Sequence, residues 1–180
     1  MAEKKASAND IHLPNKKGAL MRLTIGILLA VLFSPLAQAE LIDEINDRGE
    51  LRIAVLSDSP PYAFKEDEHL TGFEIELGQA LAKELDVRAE FVETAAEEVL
   101  PGVESGKFDL AFNKQDIEPN DQLDTIRTLA SQKLVIPYLK GNPAFETTVS
   151  NALQRIKDDG RLADLESKWL KGTKQASAGQ

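Results

Sequence analysis

"LRIAVLSDSPPYAFKEDEHLTGFEIELGQALAKEL", Leu51 to Leu85, passes from one structural period to another. "LRIAVL" is a short apolar run rich in branched side chains, the signature of a buried strand. "SDSPPYAF" follows as a turn region, because paired prolines cannot continue a central strand. Thr71-Gly72-Phe73-Glu74 then fits a capping box, in which Glu74 would reach back to the cap. Leu77, Leu81 and Leu85 come at four-residue spacing and line one face of the helix that the box opens.

Working outward, "ELIDEINDRGE" puts Leu41, Ile42 and Ile45 on one helical face, stopped by Gly49. After Leu85, "VRAEFVET" alternates as a strand. "AAEEVLPGVESG" is a short helix disturbed by Pro101 and closed by Gly106, and "KFDLAF" is a third strand. Helix and strand alternate three times, which predicts a mainly parallel sheet flanked by helices. Further on the pattern loosens. Gln122 to Gln132 reads as weakly structured, with one helical turn at most. "KLVIPYL" is an apolar strand, in which Pro137 marks an edge or a bend. Asn142-Pro143 is a cap and first helical residue. The helix after it carries Phe145, Val149, Leu153 and Ile156 inward. Gly160 ends it, and "RLADLESKWL" forms a last helix with Leu162, Leu165 and Trp169.

The flanks are of another kind. "MRLTIGILLAVLFSPLAQAE" from Met21 has a positive start at Arg22, an apolar run from Leu23 to Phe33, and a small-residue site at Ala37-Gln38-Ala39. These are the parts of a secretory signal, expected to be cleaved after Ala39. The apolar run is too short for a permanent span. Residues 1–20 are polar and non-periodic, an extension or a mis-assigned start. Residues 40–172 form the folded part, and 173–180 a polar tail expected to be disordered. From Glu40 on there are 16 Lys and Arg against 28 Asp and Glu, a net charge of −12. Such a surface repels nucleic acid and anionic lipid. There is no cysteine, so no disulfide, thiol catalysis or cysteine metal site is available. His69 is the one histidine beyond the signal-like segment and reads as a turn residue. No metal or other cofactor is expected. Asp116, Glu118 and Asp121 lack the spacing and turn glycine of an EF-hand. No nucleophile elbow, phosphate loop or paired metal motif is present, so no enzyme is expected.

Five stretches together resemble the family 3 extracytoplasmic solute-binding proteins of amino-acid ABC importers. They are "LRIAVLSDSPPYAF", "LTGFEIELGQALAKEL", "LPGVESGKFDLAF", "IEP" and "NPAFETTVSNALQRIKDDGRLADLESKWLKG". The resemblance implies a periplasmic binding protein-like type II fold, ordinarily two α/β lobes with ligand held between them. Here only 11 residues, Gln122 to Gln132, separate the loop after "KFDLAF" from "KLVIPYL". A domain needs about 50 residues to bury a core. The chain is therefore expected to be lobe one alone, the second lobe absent, with "LVIPYLKGNPAFE" as outgoing and returning strands fused into one.

The resemblance also points to a site. Relatives hold a ligand carboxylate with hydroxyls and an arginine in the loop after the third strand. Aligned on Ile117 and Pro119, that loop here puts Asp116 and Glu118 at the hydroxyl positions and Asp121 at the arginine position. Two carboxylates about 4 Å apart repel by about 1 kcal/mol in water and by several times more when partly desolvated. The usual amino-acid grip is thus degenerate unless Lys114 swings in. Tyr62 and Phe64 resemble the family's aromatic cleft floor, or else cap the sheet by packing. Ser59 stands where a stacking residue is expected. Asn113, Lys114 and Gln115 are polar contacts or a solvated loop. Two functions follow as expectations. One is weak capture of a small polar solute or amino acid, with an ABC permease as partner. The alternative is a periplasmic protein-interaction module without capture. It would self-associate or bind another periplasmic protein through an apolar patch around Tyr62, Phe64 and Pro137.

Overall fold

The computed structural model describes residues 40–112, 119–127 and 134–171. The signal-like segment, the loop residues Asn113 to Glu118, residues 128–133 and the polar tail from Gly172 lie outside the described residues. Helix α1 (Leu41–Arg48) leads into β1 (Glu50–Val55). A small antiparallel sheet of β2 (Asp58–Ser59), β3 (Ala63–Glu66) and β4 (His69–Thr71) precedes α2 (Phe73–Glu84). Then come β5 (Arg88–Glu93), α3 (Ala96–Glu104), β6 (Leu110–Ala111), β7 (Leu123–Arg127), β8 (Val135–Leu139), α4 (Pro143–Asp158) and α5 (Arg161–Trp169).

The main sheet is parallel, in the order β5-β1-β6. Ile53 pairs with Phe91 on one side and with Leu110 on the other. Leu51, Ile53 and Val55 point into the larger core with α1, α2, α4 and α5. Ala54 points the other way, onto Val99 and Val103 of α3. That alternation is the strand period expressed as two core layers. Leu77, Leu81, Phe145, Val149 and Ile156 are fully buried, as their spacing predicts. Among the described residues no helix is long and apolar enough to cross a membrane.

Four expectations fail. Leu123 to Arg127 is strand β7, paired antiparallel with β8. Of that segment only Leu123 and Ile126 are buried, so its sequence shows no strand alternation. The turn region after β1 contains β2 and the start of β3, strands too short to announce themselves. Pro137 is buried within β8 and takes no part in an apolar surface patch with Tyr62 and Phe64. Finally, the Thr71–Glu74 capping box does not form. Gly72 is the N-cap, with φ 123 and no side-chain cap bond, and Thr71 belongs to β4.

Backbone carbonyls replace that box. Phe73 N–H donates to Pro61 O at 3.0 Å, and Glu74 N–H donates to Tyr62 O at 2.8 Å. A Cβ on Gly72 would lie 2.3 Å from Tyr62 O, so only glycine admits this approach. Asn142 occupies the N-cap position of α4, as expected, yet its Oδ1 accepts from Leu41 N–H of α1 at 2.8 Å. In return Glu40 Oε2 accepts from Ala144 N–H of α4 at 2.8 Å. Two helix starts 101 residues apart exchange caps.

At the N-terminal end of the sheet, Asp109 is fully buried. It accepts from Arg52 N–H and from Arg52 Nη2, both at 2.7 Å, and also pairs with Arg48. This network fixes the start of β6 against β1 and the end of α1.

Candidate functional site

Parallel α/β sheets place ligands outside the carboxyl ends of their strands. Here that end of β1 runs into Ser57, Asp58 and Ser59, and the end of β5 into Glu93 and Thr94. Thr94 N–H donates to Val55 O at 3.1 Å, which keeps the two strand ends side by side. Lys65, from the middle of β3, meets Glu93 at 2.9 Å. The Lys65 ammonium, and after it the Ser57 hydroxyl, hold the Glu93 carboxyl below its ordinary range. Glu93 in turn raises Lys65. Thr94 Oγ1 donates to Glu98 at 3.3 Å. The arrangement offers hydroxyls, one ammonium and carboxylates to a polar solute.

Ser59 is half-buried, and its carbonyl accepts from Tyr62 N–H at 2.8 Å. Tyr62 is half-buried and meets Phe73 edge-on, with ring centroids 6.5 Å apart. Burial, with the Glu74 carboxylate second, raises its hydroxyl pKa. Phe64 meets Trp169 of α5 edge-on at 6.0 Å. Both aromatics therefore have packing partners in the fold, and Phe64 ties the small sheet to the last helix. Lys168 of the same helix pairs with Glu76 of α2, which holds α5 to α2. Asp121 is exposed, in the turn before β7. Asn120 Oδ1 shapes that turn by accepting from Gln122 N–H at 2.7 Å and Leu123 N–H at 2.8 Å. Lys140 Nζ donates to Asn120 O at 2.8 Å, so a cation stands in the same turn.

The structure thus keeps Ser59 and Tyr62 within one short turn, and Phe64 in the strand beside it. Asn113, Lys114, Gln115 and Asp116 lie outside the described residues. Sequence reasoning missed Ser57, Lys65, Glu93 and Lys140. Ser57 and Glu93 could have been found from their position at the carboxyl ends of β1 and β5. Lys65 and Lys140 carry no such mark, because the residues that they meet are distant in sequence.

The model for bacterial extracellular solute-binding proteins, family 3, matches residues 51–172, from β1 to the end of α5 and just beyond. The chain belongs to that family. Among family relatives it is 27% identical over 154 residues to a probable histidine-binding protein of Campylobacter jejuni, covering 84% of this chain. It spans 59% of that relative's length. Among solved family folds it resembles the ancestral amino-acid-binding protein AncCDT-1, a precursor of cyclohexadienyl dehydratase. That match has a TM-score of 0.65 and 24% identity, covering 74% of this chain and 100% of that one. It also resembles the arginine-bound form of domain 1 from TmArgBP, with a TM-score of 0.57 and 21% identity, covering 63% of this chain and 98% of that one. The fold is accordingly one lobe of a periplasmic binding protein-like type II architecture. The chain is a solute-binding domain related to the binding subunits of amino-acid ABC transporters.

Proposed function

We propose that this lobe acts outside the cytoplasm as an open half-site that captures a small polar solute weakly, by binding and release without chemistry. One observation carries the reading. Only 11 residues separate β6, ending at Ala111, from β7, starting at Leu123, so no second lobe fits between them. Two-lobed binding proteins bury most of a ligand by closing around it. A single lobe lacks that enclosure. The arginine-bound state of TmArgBP domain 1 supports the idea that one such domain suffices to hold a ligand.

The contacts assigned to the solute are Ser59, Tyr62, Phe64, Asn113, Lys114, Gln115, Asp116 and Asp121. Carboxylates at Asp116 and Asp121 oppose the acid group of a free amino acid, so affinity for standard amino acids is about millimolar at best. The folded part is residues 40–172, exported and cleaved after Ala39 into the periplasm, with an ABC permease as the natural partner.

The test is calorimetry on protein secreted by a bacterial host, its start residue read by mass spectrometry. The expected start is Glu40, and the expected titration with each standard amino acid is shallow. Trp169 is the single tryptophan and touches Phe64, so its emission reports on occupancy of the small sheet. Micromolar affinity for any standard amino acid overturns the half-site reading.

A further inference from the structure

The outer edge of β5 is open. Arg88 N–H donates to Gly49 O and Thr94 N–H to Val55 O, both at 3.1 Å. Residues 88, 90, 92 and 94 therefore turn their backbone groups toward β1. Ala89, Phe91 and Glu93 turn theirs outward, by the alternation of a strand. Among the described residues no strand pairs with that side. Beside it runs an open groove of about 570 Å³, lined by Ala82 and Lys83 of α2 and by Val87, Ala89 and Phe91. Unpaired edges recruit other strands unless charge or shape prevents it. The charges here are not uniform along the edge. Lys83, Asp86 and Arg88 stand at its beginning, a net positive charge, and Glu93, Glu97 and Glu98 at its end, a net negative one with Lys65 on Glu93 and Lys107 by Glu98.

We propose that this edge pairs antiparallel with the same edge of a second copy, about a two-fold axis at Phe91. This register uses all three outward residues of each strand. Phe91 meets its own copy, and Ala89 faces the second copy's Glu93. Shifting by one pair in one direction sets Glu90 directly against Glu90, and shifting in the other leaves Arg88 without an opposite residue. The faces also match. Ala89 and Phe91 lie on the α2 side, where Phe91 packs in the larger core. Facing Ala89 there, the second copy's Glu93 comes beside Lys83. On the other side Val92 packs against α3. Arg88 on that side faces the second copy's Thr94, whose hydroxyl holds Glu98. Basic start thus meets acidic end twice, on both faces, and opposite charges across a strand pair stabilise it. Two Phe91 rings close the centre as an aromatic pair. The two Glu90 side chains meet only on a diagonal. The pairing joins two three-stranded sheets into one of six and uses Glu93 and Thr94 at the carboxyl end of β5, but not Ser59, Tyr62 or Phe64.

The test is sedimentation velocity on the secreted protein over a wide concentration range. A monomer–dimer equilibrium is expected, weakening as salt rises. Arg88→Glu should raise the dimer dissociation constant roughly tenfold, and Arg88→Glu with Glu98→Arg should recover most of the loss. Arg88 also pairs with Glu50 within its own chain. Lys83→Glu, at an exposed position, therefore serves as a second variant with the same expected direction, and circular dichroism verifies each fold. A protein that stays monomeric throughout overturns the proposal. So does a dimer whose affinity the charge reversals leave unchanged.

Discussion

Replacing Gly72 with alanine should damage the lobe more than its single methyl suggests, and the structure says by how much. The added Cβ would lie 2.3 Å from Tyr62 O, 2.7 Å from Tyr62 C and 3.0 Å from Pro61 O. These are backbone atoms and cannot swing aside as a side chain would. To relieve the clash, the turn must separate from the start of α2. That separation breaks the bonds from Phe73 N–H and Glu74 N–H, each contributing about 1 kcal/mol. The φ of 123 adds about 1–3 kcal/mol of strain for any residue with a Cβ. The expected loss is about 3–5 kcal/mol in urea unfolding. Gly49 supplies the control. Its φ is 72 and nothing lies within 4 Å of a Cβ there, so Gly49→Ala should cost only about 1–2 kcal/mol. Equal losses for the two variants would refute the close-approach argument and leave conformational preference alone as the cause. A Gly72→Ala protein that does fold should also show altered Tyr62 packing, read as a change in near-ultraviolet circular dichroism.

Three other variants probe separate parts of the fold. Asp109→Ala strands Arg48 and Arg52, whose side chains are 27% and 26% exposed, so the loss should be about 3 kcal/mol, the low end for a broken buried pair; Asp109→Asn should cost less in the same urea titration. Glu40→Ala and Asn142→Ala should each cost about 1 kcal/mol as lost helix caps. If the exchanged caps act as one clasp, the double variant should lose less than the sum, by at least about 0.5 kcal/mol. Glu84 pairs with Arg155 and Arg161, and the bonds from these two hold its carboxyl below the ordinary 4.5. A lowered carboxyl contributes stability above that value and loses it as pH falls through the folded-state pKa. Glu84→Gln should therefore lower the urea midpoint at neutral pH and flatten its decline below about pH 4.5.

What the sequence discloses follows from which forces act locally. Gly49 ends α1 because a left-handed residue is needed there, and glycine names itself. The four-residue spacing in α2 and the inward set of α4 are legible because burial and helical period coincide in one stretch. The failures share a different cause. Strand β7 is held by β8, and its buried pair Leu123 and Ile126 imitates a helical spacing. The start of α2 obeys Tyr62 O and Pro61 O, which lie ten or more positions earlier, and not its own Thr71. Asn142 has the composition of a local cap and serves a distant helix instead. At the candidate site Ser59 and Tyr62 were singled out from the family resemblance, and they fall in the turn region after β1. The Lys65–Glu93–Ser57 group was not, because it joins three separated segments.

The β7–β8 hairpin explains how a single lobe can stand where relatives have more chain. Strand β8 lies against β6 and α3. Its Ile136 and Tyr138 enter the larger core, while Leu123 of β7 enters the smaller one, so one hairpin closes both layers. Tyr138 is 1% exposed, yet its hydroxyl is satisfied by donating to Glu146 of α4 at 3.0 Å. Its ring also packs on Phe145 at 5.3 Å. Burial raises the Tyr138 hydroxyl well above its ordinary range, which keeps it a donor to that carboxylate. A loop left by simple excision would expose apolar surface beside β6. Here the exposure is removed from within, and α4 is anchored by the same residues. In the half-site reading proposed above, stability of the lobe and enclosure of a ligand are separate: the hairpin completes the core, and a solute at the carboxyl ends of β1 and β5 would be held by a few polar contacts on one wall.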